Sequence, residues 1–165
     1  MRHRSGFTLL ELMIVVALIM IIAAIAIPSL TTSKISANEV SAVASIRAIN
    51  TAEISYAATY GGYAASLANL GGPDPCTKSA QTACLIDQSL AGGQKAGYRF
   101  MAIGGNPSGG QNTSYVVAAA PEVFDHTGHR LFCSTDKNVI RADLNAGAST
   151  IPPGAEQCSS FPALQ

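Results

Sequence analysis

From Phe7 to Tyr60 the chain runs for 54 residues with no glycine and one proline, Pro28; Gly6 comes before it, and the other fourteen of fifteen glycines lie at or beyond residue 61. Such a stretch is written as a long helix, because in a helix interior glycine costs about 1 kcal/mol and proline about 3 kcal/mol relative to alanine. At about 1.5 Å per residue it reaches roughly 80 Å. A domain built from what remains of a 165-residue chain cannot bury a helix of that length from end to end. Part of the helix has to meet something else.

The stretch has two characters. From Phe7 to Ile27 the only charge is Glu11, and about 20 apolar residues suffice to cross a bilayer core, so this half can span a membrane once. In "TTSKISANEVSAVASIRAINTAEISYAATYGGY" the larger apolar groups Ile46, Ile49, Tyr56 and Tyr60 recur at steps of three, seven and four, while Lys34, Glu39 and Arg47 fall between them. That spacing predicts an amphipathic helix with one face to bury. Pro28 lacks an N–H and clashes with the preceding turn, which predicts a kink where the helix leaves its oily half.

After Tyr60 the chain is punctuated by "GG" at 61, 71, 92, 104 and 109 and by "PDP" at 73 to 75. Between these lie short β-like runs, "GYRFMAI" (97–103), "SYVVAAA" (114–120), "RLFCS" (130–134) and "NVIRA" (138–142). Their tight spacing predicts an antiparallel meander packed on the amphipathic half of the helix, with irregular loops at 61–95 and 144–165. The expected class is α+β: a long N-terminal helix, half transmembrane and half amphipathic, on a small antiparallel sheet. The expected segments are 1–6, a basic leader; 7–28, the hydrophobic helix; 29–60, its amphipathic continuation; and 61–165, the loop and sheet region.

All four cysteines, Cys76, Cys84, Cys133 and Cys158, fall in the second half. An even number outside the cytoplasm is expected to pair. Four cysteines allow three connectivities. The two local pairings, Cys76 with Cys84 and Cys133 with Cys158, are favoured because each ties a turn-rich segment to its own neighbourhood. A zinc site with His126 and His129 is the rival, but the cysteine spacings lack the close C-x-x-C knuckle of structural zinc.

Ten basic and ten acidic side chains balance; without Arg2 and Arg4 in the leader, eight face ten. No Lys/Arg stripe supports nucleic-acid contact. There is no G-x-S-x-G elbow, phosphate-binding loop or H-E-x-x-H, so no enzyme is expected. "HTGH" (126–129) reads as a surface turn. Asp125, Asp136 and Asp143 form no compact calcium motif, so neither metal nor cofactor is expected. Tyr56, Tyr60 and Tyr63 read as core and helix-end packing, and "GGNPSGGQNTS" (104–114) as a solvated turn.

A secretory signal would also begin with basic residues, an apolar run and small residues before a cut, here "AIA" at 24–26. Against it stand the six-residue leader, the length of the apolar run, the carboxylate inside it and the helix continuing beyond. Instead "GFTLLELMIVVALIMIIAAIAIPSL", with Gly6, Phe7, Thr8, Leu9, Glu11 and Pro28, resembles the N-terminus of type IV pilins and of the pseudopilins of type II secretion. The resemblance implies that a membrane-embedded aspartyl peptidase cuts between Gly6 and Phe7 and methylates the new amine of Phe7. It also implies that Cys133 and Cys158 bound a disulfide-closed C-terminal region.

A carboxylate in hydrocarbon is costly unless protonated or paired. If Gly6 is the cut site, each subunit carries an amine at Phe7 and a carboxylate at Glu11, roughly 6 Å apart along the axis. The amine of an entering subunit can then meet the Glu11 of the one above, which fixes register and orientation more than net stability. The plainer alternative is that Glu11 simply snorkels to water. The resemblance thus implies a structural subunit of a helical homopolymer, a type IV pilus, or alternatively a pseudopilin in a short periplasmic filament that drives secretion. Implied partners are membrane lipid before assembly, the prepilin peptidase and methyltransferase, an inner-membrane assembly platform and minor pilins. The implied route runs from the bacterial inner membrane, with the C-terminal domain periplasmic, to an extracellular pilus.

Overall fold

The computed structural model describes residues 7–144 and 153–164. Gly6 and the rest of the leader lie outside them. One helix, α1 (Leu9–Tyr60), occupies 52 residues and stays helical through Pro28. The chain forms two compact units, divided between Lys34 and Ile35.

The second unit is the α+β part. Beyond α1 come α2 (Leu67–Leu70), α3 (Gln88–Ala91), β1 (Gln94–Lys95), β2 (Tyr98–Ser108), β3 (Gln111–Pro121), β4 (Leu131–Thr135), β5 (Arg141–Asp143) and α4 (Ala155–Ser160). The five strands form one antiparallel meander in chain order. Three short elements, α2, α3 and β1, occupy the region expected as loop, and α4 lies in the one expected after 144.

Residues 104–114, read as a solvated turn, are instead the far end of a long hairpin. Strands β2 and β3 pair from Tyr98↔Pro121 to Ser108↔Gln111, leaving only Gly109 and Gly110 as the loop. Both have positive φ, 59° and 83°, as a type I′ hairpin turn requires and glycine readily supplies. At the other end, "NVIRA" begins in a turn rather than a strand. The Asn138 N–H donates to the Thr135 carbonyl (2.8 Å), so pairing starts only at Arg141.

The period-2 alternation of β3 fills two cores. Tyr115, Val117 and Ala119 join Ile46, Ile49 and Tyr56 of α1, Tyr98 and Phe100 of β2 and Phe132 of β4. Val116, Ala118 and Ala120 join Leu131, Cys133 and Cys158, with Phe161 against them. The part of α1 that belongs to the second unit therefore covers one face of the sheet and the C-terminal segment the other. The Cys133–Cys158 disulfide pins α4 to β4, and a Cys76–Cys84 disulfide closes the segment between α2 and α3.

Of the predicted α1 stripe, Ile46, Ile49 and Tyr56 are buried and Tyr60 is partly buried against them. Glu39, which falls between the apolar positions, is buried too, as is Glu53. Both carboxylates find their partners outside the helix, Glu39 at His129 and Arg130 and Glu53 at Ala64.

Candidate functional site

The apolar half of α1 has no partner in the described chain. Apart from half-buried Ala23, the residues from Leu9 to Ile27 are exposed, the large apolar ones from Val16 at 42% to Leu9 at 75%. The most apolar 18-residue window has a mean hydropathy of 3.0 and none of it is buried. A helix apolar all round is at home in lipid or among other helices, not in water.

Its start is capped within the chain. The Glu11 N–H donates to Thr8 Oγ1 (3.2 Å), and that hydroxyl in turn donates to Glu11 Oε2 (3.5 Å). The Leu12 N–H bonds the Thr8 carbonyl at 3.2 Å. Thr8-x-x-Glu11 is the sequence of a capping box, with the acidic side chain at the positive end of the helix dipole. The cap is legible in "TLLE" ahead of an apolar run, a role for Glu11 beside pairing between subunits and snorkelling to water. Glu11 thus has a local role that needs no second chain. Phe7, next to the cap, is 82% exposed.

Past Pro28 the helix carries hydroxyls that bond back to its own carbonyls. Thr31 Oγ1 donates to Ile27 O (3.2 Å) and Ser33 Oγ to Ser29 O (2.9 Å). Thr51, Ser55 and Thr59 make the same bonds further along, the usual way a helix satisfies such hydroxyls.

In the second unit the polar groups hold the fold together. Burial pushes the Glu39 carboxyl up, but hydrogen bonds from Arg130 and from the His129 N–H outweigh it and hold the group below its ordinary range. The tyrosines also pack. The rings of Tyr56 and Tyr60 lie 4.6 Å apart and those of Tyr63 and Tyr115 4.8 Å, with Tyr56 Oη donating to the Ala80 carbonyl at 2.7 Å.

In the "HTGH" turn, His129 Nδ1 lies 2.9 Å from Asp125 Oδ1 with both side chains more than half exposed. Among the described residues no three His, Cys, Asp or Glu side chains gather into a metal-holding group. The four cysteines are taken by the two disulfides. The structure thus separates the candidate residues. Phe7, Glu11 and Pro28 belong to the first unit, the cysteines and tyrosines to the second, and Gly6 is not described.

Comparison with known proteins bears on the N-terminal segment. Residues 1–27 match the family model described as the Prokaryotic N-terminal methylation motif, the prepilin motif of type IV pilins and pseudopilins. No curated protein and no solved structure matches the chain.

Proposed function

We propose that this chain, a bearer of the prepilin motif, is a structural pilin subunit of a type IV pilus rather than an enzyme. It is cut between Gly6 and Phe7, methylated on the Phe7 amine, held in the inner membrane by the apolar half of α1, and then polymerised. The observation that carries this reading is the match of residues 1–27 to the methylation motif. The unburied apolar surface of the helix within those residues supports it, because such a surface needs lipid first and other helices afterwards. In the filament the sheet unit faces outward, and Glu11 accepts the Phe7 amine of the next subunit. The peptidase, an assembly platform and minor pilins are the partners this route requires.

The Cys133–Cys158 disulfide favours a pilus over a secretion pseudopilus, in which a C-terminal pair of this kind is commonly lacking. The test is intact-mass analysis of the membrane-extracted protein together with electron microscopy of cells that express it. A mass starting at N-methylated Phe7 and long surface filaments containing the subunit are expected. A mass starting at Met1, or at a residue after Ala26, sinks the processing step. A processed subunit found only in short periplasmic filaments transfers it to secretion.

A further inference from the structure

Glu53 is the most unusual charge-bearing group in the sheet unit. It lies on α1 with no exposed surface. Its Oε2 accepts the N–H of Ala64 at 2.9 Å, while Oε1 is the one buried side-chain polar atom among the described residues that has no hydrogen-bond partner. Ala64 belongs to the short segment in which α1 ends and the chain turns toward α2. Gly61 there takes a φ of 84°, and Tyr63 and Ser66 make single bridges to Asn112 and Ile103 of the hairpin. One carboxylate therefore fastens the joint between the helix and the sheet.

The surroundings give that carboxylate little help when it is charged. Burial dominates its environment, the Ala64 N–H is the one group that offsets it, and among the described residues no cation contributes. The titratable groups that sense it are tyrosines. The phenol of Tyr115, on β3, is raised by burial first and by the charge of Glu53 next. That of Tyr56, three residues on along α1, is raised by burial, then by Tyr60 and then by Glu53. Helix α2, of sequence LANL, brings no titratable side chain. An anion in this place has one donor, one orphaned oxygen and no countercharge, whereas the neutral acid keeps the Ala64 bond without the cost of a buried charge.

We propose that Glu53 is a proton-operated latch: neutral, it keeps the segment from Gly61 to Ser66 closed on α1, and ionised, it draws water into that contact and loosens the segment. The burial of Glu53 raises its carboxyl from 4.5 to about 7, which places the change between weakly acidic and weakly alkaline conditions. The latch is independent of whether the chain polymerises.

The experiment is hydrogen–deuterium exchange on the full chain in detergent micelles at pH 5.5 and 8.5, corrected for the intrinsic exchange rate. In the wild type, protection of peptides covering residues 61–66 is expected to fall about thirtyfold between the two, by proton linkage across that pKa difference. Peptides from the β2–β3 hairpin should not change. Glu53→Gln, which keeps an acceptor for Ala64 but cannot ionise, should show no pH dependence at 61–66. Flat protection in the wild type overturns the proposal by itself, even if the variant fails to fold. Equal loosening of hairpin and joint, or an unchanged pH slope in the Gln variant, overturns it as well.

Discussion

Arg130 grips Glu39 across ninety-one residues of sequence: Nε at 2.9 Å and Nη2 at 2.6 Å both donate to Oε2, while Oε1 takes the backbone N–H groups of His129 (2.9 Å) and Arg130 (3.2 Å). The Glu39 side chain is only 7% exposed and that of Arg130 39%. The pair joins the first turns of α1 in the sheet unit to the entry of β4. The guanidinium also lies 5.4 Å from the ring centre of Phe132.

Arg130→Met should therefore destabilise the sheet unit by about 3 kcal/mol, the low end of what orphaning a buried charge costs, because half of the carboxylate's donors are backbone and survive. Adding Glu39→Met should recover much of that loss, since two apolar groups replace the orphaned ion. Urea unfolding of the two variants beside the wild type measures both steps. Equal loss in the single and double variants would show that the pair contributes by packing alone.

The two buried glutamates set opposite limits on pH stability. The folded-state pKa of Glu39 is lowered, so its contribution is present above its ordinary value of 4.5 and lost as pH falls through the folded one. Glu53 is raised from 4.5 to about 7, so its contribution is present below 4.5 and lost as pH rises through about 7. Stability should peak in weakly acidic solution. On the alkaline side Glu53→Gln should gain up to about 3 kcal/mol over the wild type, the free-energy equivalent of its shift. Thermal melts from pH 4 to 9 test this, and coincident curves for wild type and variant would refute it.

Removing the Cys133–Cys158 bridge by a double Cys→Ser change should cost about 3.5 kcal/mol in the chain-entropy model, for a sequence separation of 25 residues. The effect should be local as well as global. Segment 153–164 covers Val116, Ala118 and Ala120 on the outer sheet face, so proteolysis near α4 should rise before the hairpin is attacked. A variant as resistant as the wild type would mean that Phe161 and its neighbours hold α4 unaided.

These contacts mark how far the sequence could be read. The glycine gap dictated α1, and the spacing of Ile46, Ile49 and Tyr56 its buried face, because helical period and burial are local properties of a chain. Glu39 and Glu53 were illegible as buried groups, since their partners are Arg130 and the Ala64 N–H and no local pattern names a tertiary partner. The tip of the hairpin was hidden by its own composition. Gly104 to Ser114 have poor strand propensity, and pairing with the opposite strand overrides it. The "GG" at 109 and 110 was the one usable signal there, because a glycine pair suits a two-residue hairpin loop. Within the candidate site the methylation motif was plain in the residues, while the Thr8–Glu11 cap was missed although "TLLE" spells it.

That cap makes a sharp test of Glu11 possible. If its value lies in starting the helix, Glu11→Gln should be tolerated, because glutamine also serves in a capping box. Thr8→Ala should then do the greater damage, about 1 kcal/mol at the helix start. If its value lies in pairing with the amine of another subunit, the order reverses. Glu11→Gln and Glu11→Val should both be processed and inserted in the membrane yet give few filaments, while Thr8→Ala assembles nearly as well as the wild type. We expect the second pattern, since a cap alone does not require a full charge in an apolar helix and the cost of that charge in lipid has to be offset elsewhere. Filament yield by shearing and immunoblotting, normalised to processed subunit in the membrane, separates the two. Wild-type yield from Glu11→Gln would assign the carboxylate to the cap and remove pairing from the assembly mechanism.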